Sequence, residues 1–231
     1  MTVVAGVDGC RGGWLCLWGD PGGRELRGRV LVRIEELLEL DPRPEEVGVD
    51  IPIGLPASGA RACDREARRL LGRSRGSSVF PAPIRPLLEA GSYEEACAIG
   101  ERVHGRKLSR QAWNILPRVR EVDEFLLDVS DRATWIREVH PEVSFALWNR
   151  RSPMTHNKKT PAGRAEREAL AQKVFGTGWR AALPASGYAP DDALDALAVL
   201  WSARRIAAGT ALRLPDEPER DPRGLPMGIL A

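Results

Sequence analysis

The sequence predicts an α/β fold, a mixed five-stranded sheet in the order 3-2-1-4-5 flanked by helices, with a helical insertion. Three observations predict it. Two strand-like runs end in Gly-Val-Asp, at Asp8 and at Asp50. Two further strand patterns, set off by glycine-rich turns, follow the first run. A helix opening on DDALDALA at Asp191 comes after all the strands. At 231 residues the chain suits one domain over 1–231.

The first strand is the β-branched run Val3 to Val7, closed by the turn Gly9 to Gly13. Trp14 to Gly19 returns as the second strand, and Leu26 to Ile34 alternates as the third. Glu35 to Leu40 is a short helix, and Glu46 to Ile53 is the fourth strand, stopped by Pro52 and Pro56. About 57–132 then reads as the helical insertion. Within it Ala62 to Leu71 is amphipathic, Ser77 to Pro83 is a proline-rich loop, and Ser92 forms a capping box with Glu95. Ser109 to Leu127 is helical with a break expected at Pro117. Thr134 to His140 is the fifth strand, Asn149 to Arg167 a basic polar loop, and Ala165 to Phe175 a helix. Pro190 starts the last strong helix, which runs from Asp191 to Ala208 and ends at Gly209. The tail closes on GLPMGIL, an expected edge strand. With strand one beside both strand two and the parallel strand four, this order is ribonuclease-H-like.

Composition narrows the chemistry. A hydrophobic fraction of 43% and a charged fraction of 29% are ordinary for a globular chain, and no apolar run reaches the roughly 20 residues of a membrane span. The N-terminus carries no secretory pattern and the four cysteines no CxxC spacing, so reduced thiols and a cytoplasmic location are expected. A net charge of +2 is too small for nucleic-acid binding by bulk electrostatics. The three histidines share no zinc-ligand spacing, so a metal here would sit on oxygen, which favours Mg2+ or Mn2+. A homo-oligomer is compatible with the sequence, which carries no signal for or against it.

Asp8 and Asp50 fall at carboxyl ends of adjacent parallel strands, where open α/β sheets place ligands. Two ionised carboxylates ~5 Å apart repel by about 3 kcal/mol at an effective dielectric of about 20, and a bound cation removes that repulsion. Asp before Gly is also ordinary turn chemistry, but turn capping does not call for the recurrence at two strand ends. On the last helix Asp191 and Asp192 sit in the first turn, where acids suit the helix dipole. Asp195 lies deeper, on the flank of the stripe Leu194, Leu197, Ala198 and Trp201. Capping does not explain it. Glu138 in the fifth strand and Glu142 after it are weaker candidates, since a strand Glu also serves as an edge charge. His140 could orient a water or phosphate, and Lys158, Lys159 and Arg164 could hold a phosphate backbone.

In their order and spacing, GVDGCRGGW, VDIPIGLP, ARRLLG with SSVFPAP, EVHPEVSF and DDALDALA resemble the family known as domain of unknown function 429. Its members are predicted nucleases of ribonuclease-H-like fold. The resemblance covers nearly the whole chain. It implies an acidic site drawn from Asp8, Asp50, Glu138, Glu142, Asp191, Asp192 and Asp195. The DDALDALA helix also looks like the last helix of Holliday-junction resolvases, which carries two metal-binding acids. Those resolvases have a glutamate at the end of the fourth strand, where this chain has the shorter Asp50.

The expected activity is metal-dependent phosphodiester hydrolysis of nucleic acid by two Mg2+ or Mn2+ ions. Asp8 would bridge the ions, Asp50 and Asp195 would hold one each, and Asp191 or Glu138 would complete the shell. Lys158, Lys159, Arg164 and His140 would meet the substrate. Two rivals differ in kind. A phosphotransferase of the actin type needs two copies of the fold, and the chain shows no second copy of the strand-one-to-three pattern. A non-catalytic binding module on this fold has no use for converging carboxylates.

Overall fold

In the computed structural model, which describes residues 2–22, 25–128 and 135–231, three strands form an antiparallel meander: β1 (Val4–Cys10), β2 (Gly13–Gly19) and β3 (Leu26–Leu31). A 3-10 segment, Ile34–Glu39, crosses to β4 (Glu46–Val49), which lies parallel to β1. β5 (Ile136–Glu138) lies parallel to β4. The resulting order, β3-β2-β1-β4-β5, is the ribonuclease-H-like sheet predicted from sequence. Between β4 and β5 run α1 (Ala62–Arg75), α2 (Tyr93–His104) and α3 (Arg110–Asp128). After β5 come α4 (Pro141–Trp148), α5 (Pro161–Phe175) and α6 (Pro190–Ala207). Among the described residues no helix is long and apolar enough to cross a membrane.

The two-residue period of the strands sorts side chains between two layers. Ala5, Val7, Val47 and Val49 point to the core that holds Val119, Val122 and Phe125 of α3. Val4, Leu15 and Leu17 point the other way, into the core formed with α6. Gly6 and Gly48 are partners across the parallel ladder. A Cβ on Gly6 would overlap the backbone of Leu200 and Ala196, and one on Gly48 would crowd Val199. The repeated Gly-Val-Asp therefore has a packing cause: glycine admits α6, valine fills the opposite core, and aspartate lies two residues on, on the glycine's face. A methyl group at position 6 has only α6 backbone to displace. Gly6→Ala is expected to destabilise the protein by ~3 kcal/mol or more, read from a denaturant midpoint, whereas Gly178→Ala, whose Cβ meets nothing and whose backbone is not left-handed, should cost far less.

Several boundaries move from the sequence reading. β1 continues two residues past Asp8, because the two-residue turn Arg11-Gly12 lets the hairpin pair to Cys10–Gly13, while pairing with β4 stops at Val7–Val49. β3 ends at Leu31 and Ile34 begins the 3-10 segment. β4 ends at Val49 rather than Ile53. Thr134, the expected start of the fifth strand, lies outside the described residues, as do 129–132 of the insertion. Pro117 does not break α3. Its ring is exposed while Leu116, Val119 and Val122 hold the helix in the core, so packing outweighs the one lost backbone bond. The basic segment is not a loop to Arg167: Thr160 caps α5, whose Pro161 occupies the first turn. The tail supplies β7 (Ile229–Leu230), which pairs with β6 (Arg213–Leu214) and bridges from Leu230 to Val139 beside β5.

Candidate functional site

Asp8 follows Gly6 on the α6 face of β1, and Asp50 follows Gly48 just past the end of β4. The Asp50 backbone N–H donates to the Val7 carbonyl at 2.9 Å, so the two aspartates are held side by side. α6 lies across both, and its segment from Ala193 to Leu200 is buried all round rather than along one stripe. Asp195 is therefore 2% exposed, deeper than the flank position expected from the helical period. Asp8 is likewise buried and Asp50 half-buried.

The fourth member is a lysine. The Lys158 ammonium donates to Asp195 Oδ2. It reaches the aspartates because its segment is moored to α5. Thr155 and His156 donate their backbone N–H groups to Glu166 at 2.8 and 3.0 Å, and the Thr160 hydroxyl donates to the Asn157 carbonyl at 2.7 Å. The Thr160-Pro161 dipeptide is an N-cap signal that marks where this mooring begins. Lys158 thus belongs to the acidic cluster itself.

A cleft of about 530 Å3 opens on this group, walled in part by Asp50, His140, Glu142, Lys158, Asp191 and Asp195. Lys159 is exposed on its wall, and Phe80 of the proline-rich loop stands at its rim, 42% exposed. Glu142 is buried, with Oε1 accepting from Arg167 at 2.5 Å, while its Oε2 has no hydrogen-bond partner. His140 Nε2 lies 3.4 Å from the Ser78 carbonyl, and its Nδ1 is buried without a partner. Among the described residues no three His, Cys, Asp or Glu side chains enclose a point as a ready-made metal cage. The aspartates converge on an ammonium instead.

Other sequence candidates are placed elsewhere or tied off. Glu138 lies in the cleft wall, but Arg61 donates to its two oxygens at 2.6 and 2.7 Å and the Ile53 N–H adds a bond at 2.7 Å. Arg61 also binds Asp64 at 2.6 Å, and all three side chains are buried. Asp192 Oδ2 accepts from the Ala189 N–H at 2.7 Å, the cap role open to it from sequence. Arg164 is exposed on α5 and does not line the cleft. Sequence reasoning missed Arg61 and Arg167 as the partners of Glu138 and Glu142, since nothing local marks a pair separated by 77 or 25 positions.

Residues 6–220 match the family model described as Protein of unknown function (DUF429). The chain belongs to this family. No curated protein matches the DUF429 chain. A solved structure of Thermus thermophilus RuvC is similar to it at 14% sequence identity and a TM-score of 0.36, over 90% of this chain and 98% of that one.

The electrostatics of the DUF429 site follow from burial. Burial raises the Asp8 carboxyl well above its ordinary range, repulsion from Asp50 and Asp195 adds to the rise, and Lys158 opposes it. Asp50 is also raised by burial, with His140 and Lys158 opposing. Burial pushes Asp195 up to about 6, Lys158 restraining the rise and Asp50 adding to it. Burial works against the charge on Lys158, but attraction to Asp195, Asp8 and Asp50 outweighs it and holds the ammonium protonated.

These shifts make a pH prediction. Folded Asp195 holds its proton to about pH 6, against 3.8 ordinarily, so the folded state binds more protons and stability falls as pH rises between those values. The loss is on the order of 3 kcal/mol for this group. In EDTA, the melting temperature of wild type should drop more steeply than that of Asp195→Asn from about pH 4 to 6. Equal slopes for the two proteins would mean that Asp195 ionises freely.

Proposed function

We propose that this DUF429 protein is a metal-dependent nuclease that hydrolyses phosphodiester bonds with Mg2+ or Mn2+ held on Asp8, Asp50 and Asp195. The observation that carries the reading is the meeting of two buried carboxylates, Asp8 of β1 and Asp195 of α6, with the half-buried Asp50 just past the end of the adjacent parallel strand β4. No packing need explains this expense, because charges beside a core must be paired or bound to a cation. Lys158 balances one of the three. The remaining two negative charges, the all-oxygen donor set and the unpartnered Glu142 Oε2 fit a hard divalent cation. Such an ion supplies an activated water and neutralises charge on the phosphate.

The chain's own groups supply the rest. Asp8 lies close enough to both Asp50 and Asp195 to feel their charge, and Asp191 lies on the cleft wall to complete the ligand set. His140 favours the ionised, metal-binding form of Asp50. Lys159 is placed for a substrate phosphate, and Phe80 offers a ring to an unstacked base. Nucleic acid is the substrate class that uses all of these.

The test is cleavage of single-stranded, duplex and branched DNA and RNA by the purified protein with Mg2+ or Mn2+. Mn2+ at 100 times its dissociation constant should also stabilise the fold by about 2.7 kcal/mol. Failure to cut any substrate would favour a binding module on the same fold. Equal stabilisation of wild type and Asp8→Asn by Mn2+ would put the metal elsewhere.

A further inference from the structure

Little apolar packing holds Lys158 where it is. The segment that carries it, Met154–Lys159, reads MTHNKK, and Met154 is its one buried side chain. Its course over the cleft is therefore set by hydrogen bonds. On one side these come from α5. Glu166 accepts from the Thr155 and His156 N–H groups, and the buried Arg167 donates to the His156 carbonyl at 3.2 Å while it holds Glu142. Gly163 lets the segment lie close on that helix, since a Cβ there would stand 2.0 Å from the Asn157 carbonyl oxygen.

The other hold comes from α1. Arg75, in its last turn, donates from Nε to the Met154 carbonyl at 2.9 Å and from Nη2 to the Thr155 carbonyl at 3.1 Å. Arg75 and Lys158 both line the cleft. α1 is a firm base for this reach. At its start the buried Arg61 is bonded to Asp64 and Glu138, and Gly72, at φ 62°, kinks the helix just before Arg75. A planar guanidinium that spans two successive carbonyls fixes the orientation of the chain as well as its distance, which a lysine ammonium does not.

We propose that Arg75 is a positioning residue for Lys158. By gripping the Met154 and Thr155 carbonyls it aims the segment so that the ammonium stays bonded to Asp195 inside the cleft. Among the described residues Arg75 makes no hydrogen bond to Asp8, Asp50 or Asp195, so it acts through the segment. Without the grip, this polar stretch regains backbone and rotamer freedom, and Lys158 divides its time between Asp195 and water. What this does to chemistry rests on the nuclease reading, in which a cation fixed beside the scissile phosphate acts most on the transition state. The placement of Lys158 does not depend on that reading.

Acetylation of the full chain in EDTA, with each lysine followed by peptide mass spectrometry, tests the placement without reference to activity. An amine held on a carboxylate stays protonated and reacts slowly. The chain has four lysines, Lys107, Lys158, Lys159 and Lys173, and all but Lys158 are exposed. In wild type Lys158 should react at least tenfold more slowly than Lys159. In Arg75→Met its rate should rise at least fivefold while Lys107 and Lys173 keep theirs. Arg75→Lys, which keeps the charge but not the paired donors, should restore only part of the protection. On a substrate that wild type cleaves, Arg75→Met should lower kcat more than it raises KM. An unchanged Lys158 rate in folded Arg75→Met would overturn the proposal. If Arg75→Met does not fold, Arg75→Lys decides, and protection equal to wild type overturns it. A raised KM with unchanged kcat would make Arg75 a substrate contact instead. Absence of cleavage by wild type would sink the nuclease reading and leave the acetylation result standing.

Discussion

Asp8→Asn is expected to abolish cleavage while leaving the protein as stable as wild type without metal, or more so. Asp8 faces both Asp50 and Asp195, and its own burial is the largest of the effects that resist its ionisation. Asparagine keeps the shape but removes the charge that would hold a cation. Loss of a metal's contribution, several kcal/mol of transition-state stabilisation, corresponds to at least ~10^3-fold in rate. The same change removes repulsion of order 1–3 kcal/mol between neighbouring carboxylates. A site built for ligand binding shows this pairing of lost activity with gained stability; a structural aspartate shows the reverse. Residual activity within tenfold of wild type would exclude Asp8 from the chemistry. Asp195→Asn should rank next. Asp192→Asn should be mildest, because an asparagine oxygen can still accept from Ala189.

Arg61→Met should cause the largest loss of stability, 3–5 kcal/mol or more. Arg61 is 2% exposed and is the shared partner of Glu138 and Asp64, 5% and 1% exposed. Removing one partner of a buried pair leaves an uncompensated charge, at a cost of about 3–5 kcal/mol, and here two carboxylates are left. Arg61 also donates to the Ile53 carbonyl at 3.0 Å, so the segment after Asp50 loses a tether. The double variant Arg61→Met with Glu138→Gln should recover part of the loss. The Glu138→Gln single variant separates the two roles weighed for this residue: as Arg61's partner it should cost stability and leave Mn2+ affinity unchanged, whereas as a ligand it should weaken Mn2+ binding.

The sheet order was legible because its signals are local. Alternation in β2 and β3, the glycine turns and the repeated Gly-Val-Asp each lie within a few residues, and parallel pairing of β1 with β4 follows from the order of elements. Asp8, Asp50 and Asp195 were legible for the same reason: each breaks an apolar pattern at a place where packing has no use for a charge. Glu138 breaks a pattern too, and there the explanation is a buried arginine far away in the chain. A lone sequence records that a charge is buried, not what neutralises it. The sequence offers Lys158 for a substrate phosphate but gives no sign of its bond to Asp195, because its delivery depends on where α5 begins, and the Thr160-Pro161 cap that fixes this start lies inside a polar run. Pro117 misled in the opposite direction, since a local rule was overridden by burial of its neighbours.

The position of β1 at the centre of the sheet also orders events in time. Its antiparallel neighbours β2 and β3 follow at once in the chain, so the meander can close over short loops, with Asp8 still hydrated. β4 and then α6 arrive from far downstream, and only the docking of α6 on Gly6 and Gly48 forces Asp195 toward the strand-end aspartates. The repulsion among these carboxylates therefore arises only once α6 is docked. α6 is packed on β1 more extensively than any other element, so a cation held by both Asp8 and Asp195 would act as a latch on the folding reaction as well as a reagent.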